Sequence, residues 1–451
     1  MNTVIRNITV VNEGREEVND VLIEGERIGK IAPAITVPND TICKEIRGDG
    51  LFLLPGMIDA QVHFREPGLT WKGTIYSESK AALAGGITSF MEMPNTRPAT
   101  MSLELLEEKF TLASNYSWGN YSFFMGLTKE NADQALRINN ATVCGVSDDG
   151  LYFDSLNSLM ADHPDYLERF LRRSGSLVAL HSEKSGIIHK NAAYYKSLQS
   201  SGEDASLHSR IHSTEGCVAA TKDILNVAYS TRARVHLLHI STGQESALFD
   251  NDIPLPEKRI TAEACLPHLY FSQDDYPSLG HRIKWNPSVK TPADRQALFM
   301  GLHSSRLDFI ATDHAPHLLS EKQGDCFTAL SGGPLVQHAL PALVDLMHQG
   351  KISIRDIARF TAHNVAEAYR VQERGYIREG YYADLILVDA LQLTKVGKDN
   401  LLYKCGWSPF EGKSLRGAVV GTFVNGNLMF CKGKHSQFRA GHRLAFSKIR
   451  H

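Results

Sequence analysis

The sequence lacks the features that mark several large classes of protein. Its 451 residues carry 48 basic and 50 acidic side chains, and the formal net charge of −2 provides no basic surface for nucleic acid. It contains no apolar run of about 18 residues, the length that a membrane-spanning helix needs. The alternating apolar and polar N-terminus does not resemble a signal peptide. We therefore expect a cytoplasmic globular protein that binds neither nucleic acid nor a membrane.

Cysteine pairs and phosphate-binding motifs are also absent. The seven cysteines include no C-x-x-C pair, which argues against a zinc ribbon or a disulfide scaffold and fits a reducing compartment. No glycine-rich phosphate loop occurs. By contrast, 19 histidines are present, and histidine is the commonest metal ligand. The composition raises the question of metal chemistry without locating a site.

The two ends of the chain have the same strand-like character. Residues 3–11, 21–23 and 27–31 form short apolar segments separated by turn residues, and residues 382–389 and 417–426 repeat this pattern. We predict a small β-rich domain that is assembled from residues 1–53 and 375–451.

The middle of the chain, residues 54–374, has a different rhythm. Short apolar runs end in polar residues and alternate with helical patterns, for example at 76–84, 103–113 and 218–228. Eight such runs end near His63, Asn95, Gly126, Asp149, His181, His239, Glu263 and Asp313. Eight β/α units in series predict an α/β fold, a (β/α)8 TIM-type barrel, whose active face lies at the carboxyl ends of the strands.

Reactive side chains cluster at these predicted strand ends. The barrel would bring together six groups: Gln61, His63, Asp149, His181, His239 and Asp313. Nitrogen and oxygen ligands at a barrel mouth suit zinc, which lowers the pKa of a bound water so that it attacks an amide. The alternative is that individual histidines only pack; His236, earlier in its strand than His239, is expected to do so. Local sequence does not decide which aspartate of the 148–149 pair points inward.

Five motifs together resemble the dihydroorotases, a family of metal-dependent amidohydrolases. They read PGMIDAQVHFREPG at 55–68, MPNTRP at 93–98, SDDG at 147–150, HIST at 239–242 and ATDHAPH at 311–317. The resemblance runs in order from residue 54 to residue 371. It implies reversible hydrolysis of the cyclic amide of dihydroorotate to N-carbamoyl-L-aspartate in pyrimidine biosynthesis, with one or two zinc ions per chain.

The resemblance also implies a role for each matching residue. His63 and Asp313 would bind a first metal, His181 and His239 a second, and Asp149 would bridge them where other amidohydrolases use a carboxylated lysine. Asp313 would also carry the proton from the attacking water to the leaving nitrogen. The substrate carboxylate would be held by Arg65, Asn95 and His317. The ring amide would be contacted by Asn286 and the backbone at Gly332.

Gln61 departs from the family pattern, which has histidine at this position. Its neutral oxygen is a poorer zinc ligand than an imidazole. Gln61 could coordinate weakly, the first metal could be held without it, or only the second site could fill. Two other functions stay open: a hydantoinase or allantoinase, and a non-catalytic subunit that binds a pathway partner.

Two further expectations concern the mouth and the surface. Residues 312–332 should lie over the barrel mouth as a loop with His317 near its base. A homodimer is expected because barrel enzymes often pair through helices outside the barrel.

Overall fold

The N-terminal strands form one edge of a mixed sheet. The computed structural model describes residues 2–38, 42–151, 159–198 and 204–447. Its first five strands are β1 Asn2–Asn12, β2 Arg15–Glu24, β3 Arg27–Ala32, β4 Cys43–Arg47 and β5 Phe52–Pro55. Strands β1, β2 and β3 form an antiparallel meander, whereas β4 and β5 both run parallel to β1.

Eight parallel strands follow, and they form the barrel. They are β6 Met57–Val62, β7 Ile87–Glu92, β8 Asn120–Gly126, β9 Gly145–Ser147, β10 Val178–Leu180, β11 Val235–Leu237, β12 Ile260–Cys265 and β13 Phe309–Ala311. Each strand pairs with the next along the chain. The ring closes where the His63 amide donates to the His314 carbonyl oxygen at 2.8 Å, beyond the ends of β6 and β13. The predicted (β/α)8 fold is confirmed.

Helices surround this barrel and bury its strands. The helices are α1 Ile75–Ala84, α2 Leu103–Tyr116, α3 Ala132–Ala135, α4 Pro164–Leu171, α5 Ser185–Ser197, α6 Leu207–Ile211, α7 Thr214–Thr231, α8 Gly243–Ser246, α9 Leu266–Tyr270, α10 Tyr276–Leu279, α11 Pro292–His303, α12 Ala339–His348, α13 Ile354–Ala358 and α14 Asn364–Tyr369. Every residue of β6, β7 and β8 is buried, as expected for parallel strands that helices cover. Helices α1, α2 and α7 confirm the three helical patterns in the sequence and extend beyond them.

The C-terminal strands complete the first sheet. They are β14 Leu385–Lys395, β15 Ser414–Val424, β16 Asn427–Cys431 and β17 Lys434–His435. Strand β14 pairs antiparallel with β5, so both ends of the chain contribute to one nine-stranded sheet. Within the ranges given above, no helix is long and apolar enough to cross a lipid bilayer. All seven cysteines are free thiols.

Candidate metal centre and substrate cavity

Five barrel strands direct their following residues into one buried cluster. His63 and His181 come directly after β6 and β10, while Asp149, His239 and Asp313 come two residues after β9, β11 and β13. His239 and Asp313 have positive φ values of 37° and 49°, a conformation that is uncommon for residues other than glycine. The backbone therefore turns sharply where these side chains must reach inward.

Asp149, His181 and His239 form a compact set of candidate metal ligands. His181 Nδ1 lies 3.0 Å from His239 Nε2 and 3.3 Å from Asp149 Oδ1, and His239 Nε2 lies 3.5 Å from the same oxygen. A tetrahedral zinc ion with bonds of about 2.1 Å separates its ligand atoms by about 3.4 Å. These spacings and donor types fit a zinc ion with one position left for water.

The charges around this set favour an ionised Asp149. Burial opposes ionisation, but hydrogen bonds from His181, His239 and His63 hold the pKa of Asp149 well below its usual range. Behind His181, Glu183 Oε2 lies 2.9 Å from His181 Nε2, and Glu183 Oε1 lies 2.9 Å from His212 Nδ1. Glu183 is buried, yet His212 and His181 hold its pKa well below its usual range. A carboxylate at Nε2 leaves Nδ1 of His181 facing Asp149.

His63 links the other side of Asp149 to Asp313. Its Nε2 atom lies 3.3 Å from Asp149 Oδ2 and 3.4 Å from Asp313 Oδ1. Its Nδ1 atom donates to Asn95 Oδ1 at 2.7 Å, which fixes the ring and turns Nε2 toward the two carboxylates. The Asn95 amide packs against Gly150, where any Cβ would collide with it. Four predicted site residues therefore meet at this point.

Gln61 is fully buried below Asp149. Its Nε2 atom donates to Asp149 Oδ2 at 3.5 Å, and its Oε1 atom accepts from Cys265 Sγ at 3.2 Å. The oxygen of Gln61 therefore points away from Asp149, toward the thiol.

A cavity opens above this cluster. Its walls include His63, Arg65, Asn95, Asp149, Trp285, Asn286, Asp313 and Gly332. Arg65 donates from Nε to the Pro316 carbonyl oxygen at 3.0 Å and lies 3.1 Å from His317 Nε2 through Nη2. Burial lowers the pKa of Arg65 to about 10, so its guanidinium is still charged at neutral pH. In the part of the chain that the structure describes, no carboxylate forms an ion pair with it.

The far wall carries the two remaining predicted residues. Asn286 Oδ1 is buried with no hydrogen-bond partner among the described residues, so it can accept from a bound molecule. Gly332 has a φ of 114°, and a Cβ there would collide with Ala315. Its N–H donates to the Lys284 carbonyl oxygen at 2.8 Å and its carbonyl accepts from Lys322 Nζ at 2.7 Å. Both backbone groups of Gly332 thus have protein partners.

Several supporting side chains were not identified from the sequence. Trp285 donates from Nε1 to the Asp313 carbonyl oxygen at 3.1 Å and stabilises its unusual backbone conformation. Glu183, Cys265 and Lys322 were also missed. Glu183 had a sequence signal because it stands two residues after a candidate ligand, and Trp285 because it directly precedes Asn286. His236, expected to pack, stacks on Phe309 with ring centroids 4.8 Å apart.

Comparisons with known proteins agree with this architecture. Residues 52–429 match the model of the Amidohydrolase family. The chain is 33% identical to a dihydroorotase of Halobacterium salinarum over 407 residues, covering 89% of this chain and 91% of the relative. It is 30% identical to a dihydroorotase of Bacillus subtilis over 440 residues, covering 96% and 99%.

Solved structures of similar fold bear different names. An L-hydantoinase (dihydropyrimidinase) from Arthrobacter aurescens matches with a TM-score of 0.90 and 21% identity, over 98% of this chain and 99% of that one. A dihydropyrimidinase from Brevibacillus agri matches with a TM-score of 0.88 and 21% identity over the full length of both chains. These likenesses concern the fold.

Proposed function

This chain is an enzyme of the amidohydrolase family, and we propose that within the family it is a dihydroorotase. The reaction would open the cyclic amide of dihydroorotate to N-carbamoyl-L-aspartate, and would also run in reverse. The sequence relatives support this proposal because they are named dihydroorotase and match most of this chain. The site supports it because Arg65 on the cavity wall would bind a substrate carboxylate.

The burial of Arg65 on the cavity wall is the observation that carries the proposal. The Arg65 guanidinium has no carboxylate paired to it in the described ranges. A buried charge is costly without a counter-ion, so the geometry favours a ligand that brings an anion. The planar guanidinium suits the bidentate geometry of a carboxylate. Dihydroorotate carries such a group beside its cyclic amide.

The remaining polar groups suit the amide ring. The unpartnered Asn286 Oδ1 atom would accept the ring N–H, and the Asn95 amide lies beside Arg65 on the cavity wall. We propose that His317 orients Arg65, because its Nε2 atom already accepts from that guanidinium. Burial and then the charge of Arg65 hold the pKa of His317 well below its usual range, so the imidazole is neutral.

The hydrolysis requires a nucleophile and a proton carrier. A zinc ion held by Asp149, His181 and His239 would lower the pKa of a bound water to about 7. Asp313, buried at the cavity floor 3.4 Å from His63, would accept the proton of that water as its oxygen adds to the amide carbon. The same carboxyl would then protonate the ring nitrogen as the C–N bond breaks. Water is thus split across the amide, and Asp313 returns to its starting charge.

A hydantoinase or dihydropyrimidinase is the second candidate. The solved structures of similar fold bear these names, and their TM-scores reach 0.90. Hydantoin and dihydrouracil rings have no free carboxylate, so such an enzyme would not need a guanidinium on the cavity wall. The family resemblance also implies a metal-bridging lysine in such an enzyme, and this chain has Asp149 at that position.

The test measures the hydrolysis of three cyclic substrates by the same zinc-loaded preparation. We expect ring opening of dihydroorotate and little opening of hydantoin or dihydrouracil. The variant Arg65→Lys should raise KM for dihydroorotate by about 10- to 100-fold, the loss of a charge-assisted bidentate pair, without loss of bound zinc. The exposed Arg137→Lys is the matched control. Opening of dihydrouracil or hydantoin but not of dihydroorotate would refute the proposal.

A further inference from the structure

Gln61 occupies the position that decides how many metal ions the centre holds. Asp149 divides its two carboxylate oxygens between two groups of neighbours. Its Oδ1 atom lies 3.3 Å from His181 Nδ1 and 3.5 Å from His239 Nε2. Its Oδ2 atom lies 3.3 Å from His63 Nε2 and 3.5 Å from Gln61 Nε2. The Oδ1 atom therefore faces only candidate metal ligands, His181 and His239, whereas the Oδ2 atom also faces the amide nitrogen of Gln61.

Both neighbours of the Gln61 amide favour the same orientation. An ionised carboxylate such as Asp149 only accepts hydrogen bonds, so the atom that faces it should be the NH2 group. On the other side, Cys265 is fully buried and lies 3.2 Å from Gln61 Oε1. The Sγ–H group of Cys265 donates to this oxygen, and Glu263 Oε1 is a more distant acceptor at 3.5 Å.

An amide nitrogen cannot replace the oxygen as a ligand. Its lone pair is delocalised into the carbonyl group, and one of its two N–H groups donates to the carboxylate. To coordinate, Gln61 would have to rotate by half a turn, giving up its contacts with Asp149 and Cys265. The oxygen that it would then offer is a weaker zinc ligand than imidazole.

We propose that this centre holds a single metal ion, on the Oδ1 side of Asp149, and that the Gln61 NH2 group acts as a hydrogen-bond donor to Oδ2 where a second metal would otherwise bind. His63 and Asp313 are then a positioning and proton-carrying pair next to the substrate and not ligands of a first metal. The inference goes beyond the proposed function, since it holds for any cyclic amide that the enzyme opens.

Metal counting tests the inference without using a substrate. The protein is loaded with excess zinc, separated from free metal by gel filtration and analysed by mass spectrometry. We expect about one zinc per chain in the wild type and about two in Gln61→His, because imidazole supplies the missing ligand. Gln372→His adds a histidine at an exposed site and should leave the count at one. His239→Ala should lose the single ion.

A spectroscopic measurement gives an independent result. Manganese-loaded wild type should show the electron paramagnetic resonance spectrum of isolated ions, and Gln61→His should show an exchange-coupled pair. Two zinc ions or a coupled spectrum in the wild type would overturn the proposal, even if Gln61→His did not fold. A folded Gln61→His variant that still held one ion would also overturn it. Because no substrate is involved, these outcomes are separate from any failure of the proposed dihydroorotase activity.

Discussion

At the scale of single residues, the chemistry depends on the side chains that orient the candidate ligands and the proton carrier. Asn95 turns His63 toward Asp313, Trp285 stabilises the backbone of Asp313, and Glu183 orients His181. Asn95 contacts Nδ1 of His63 and leaves its Nε2 free, and Glu183 contacts Nε2 of His181 and leaves its Nδ1 free. A site of this kind is sensitive to substitutions one step away from the reacting groups.

Glu183 provides the sharpest test of this dependence. In Glu183→Gln, the neutral amide no longer favours a proton on His181 Nε2, and the ring loses its preference for presenting Nδ1 to the metal. We expect zinc affinity to fall by about 10- to 100-fold, measured by competition with a chelating dye. Glu168→Gln, which changes an exposed glutamate of α4 that pairs with Arg172, should bind zinc like the wild type. Unchanged affinity in Glu183→Gln would show that the carboxylate does not orient His181.

At the scale of elements, the loop between β13 and α12 forms one side of the cavity. Lys322 is a buried residue of this loop and donates to the carbonyl oxygens of Lys284, Leu330 and Gly332 at 3.2, 2.6 and 2.7 Å. Ala315, Ser331 and Gly332 of this loop line the cavity, and the buried Lys322 side chain holds the loop backbone in place. The cavity wall at Gly332 therefore depends on one side chain.

Replacing Lys322 with methionine tests this support. The variant leaves the carbonyl oxygens of Leu330 and Gly332 without this donor, each costing about 1–3 kcal/mol, so the loop should loosen. We expect KM for the substrate to rise by about tenfold or more and the zinc content to stay unchanged, because Asp149, His181 and His239 all lie outside this loop. Limited proteolysis should cut the loop faster in the variant, whereas Lys129→Met, at an exposed site, should behave as the wild type does. Wild-type KM and cleavage rate in Lys322→Met would contradict this role.

The order of these elements could be predicted from the sequence because the barrel strands are short apolar runs, and several of them are followed by a reactive residue. His63, His181, His239 and Asp313 all follow such runs, and parallel strands bring their carboxyl ends to one face. The partners of these residues could not be predicted in the same way. Gln61 is oriented by Cys265, 204 residues later in the chain, and no local pattern encodes that contact. Strands β9, β10, β11 and β13 have three residues each, too few for a periodic pattern.

At the scale of the whole molecule, the terminal sheet is anchored to the barrel end opposite the cavity. Asn120, the first residue of β8, donates to Asp384 Oδ2 at 3.0 Å, and Asn425 Nδ2 donates to Asn120 Oδ1 at 2.8 Å. Arg374 forms a buried ion pair with the same aspartate. This network joins the two sheets at the amino ends of the barrel strands, at the end opposite the carboxyl ends that carry the site residues.

Buried neutral histidines make the stability of the whole fold depend on pH. Burial lowers the pKa of His338, which lies 2.9 Å from the Tyr403 hydroxyl group, to about 3. The unfolded chain takes up a proton there below pH 6.5 and the folded chain does not, so the free energy of unfolding falls as the pH falls. Between pH 7.5 and 5.0 this one residue should account for about 2 kcal/mol of lost stability. In His338→Gln the loss measured by urea unfolding should be smaller by that amount, and in His189→Gln, at an exposed site, it should be unchanged. An equal loss in wild type and His338→Gln would mean that His338 is protonated within the folded protein.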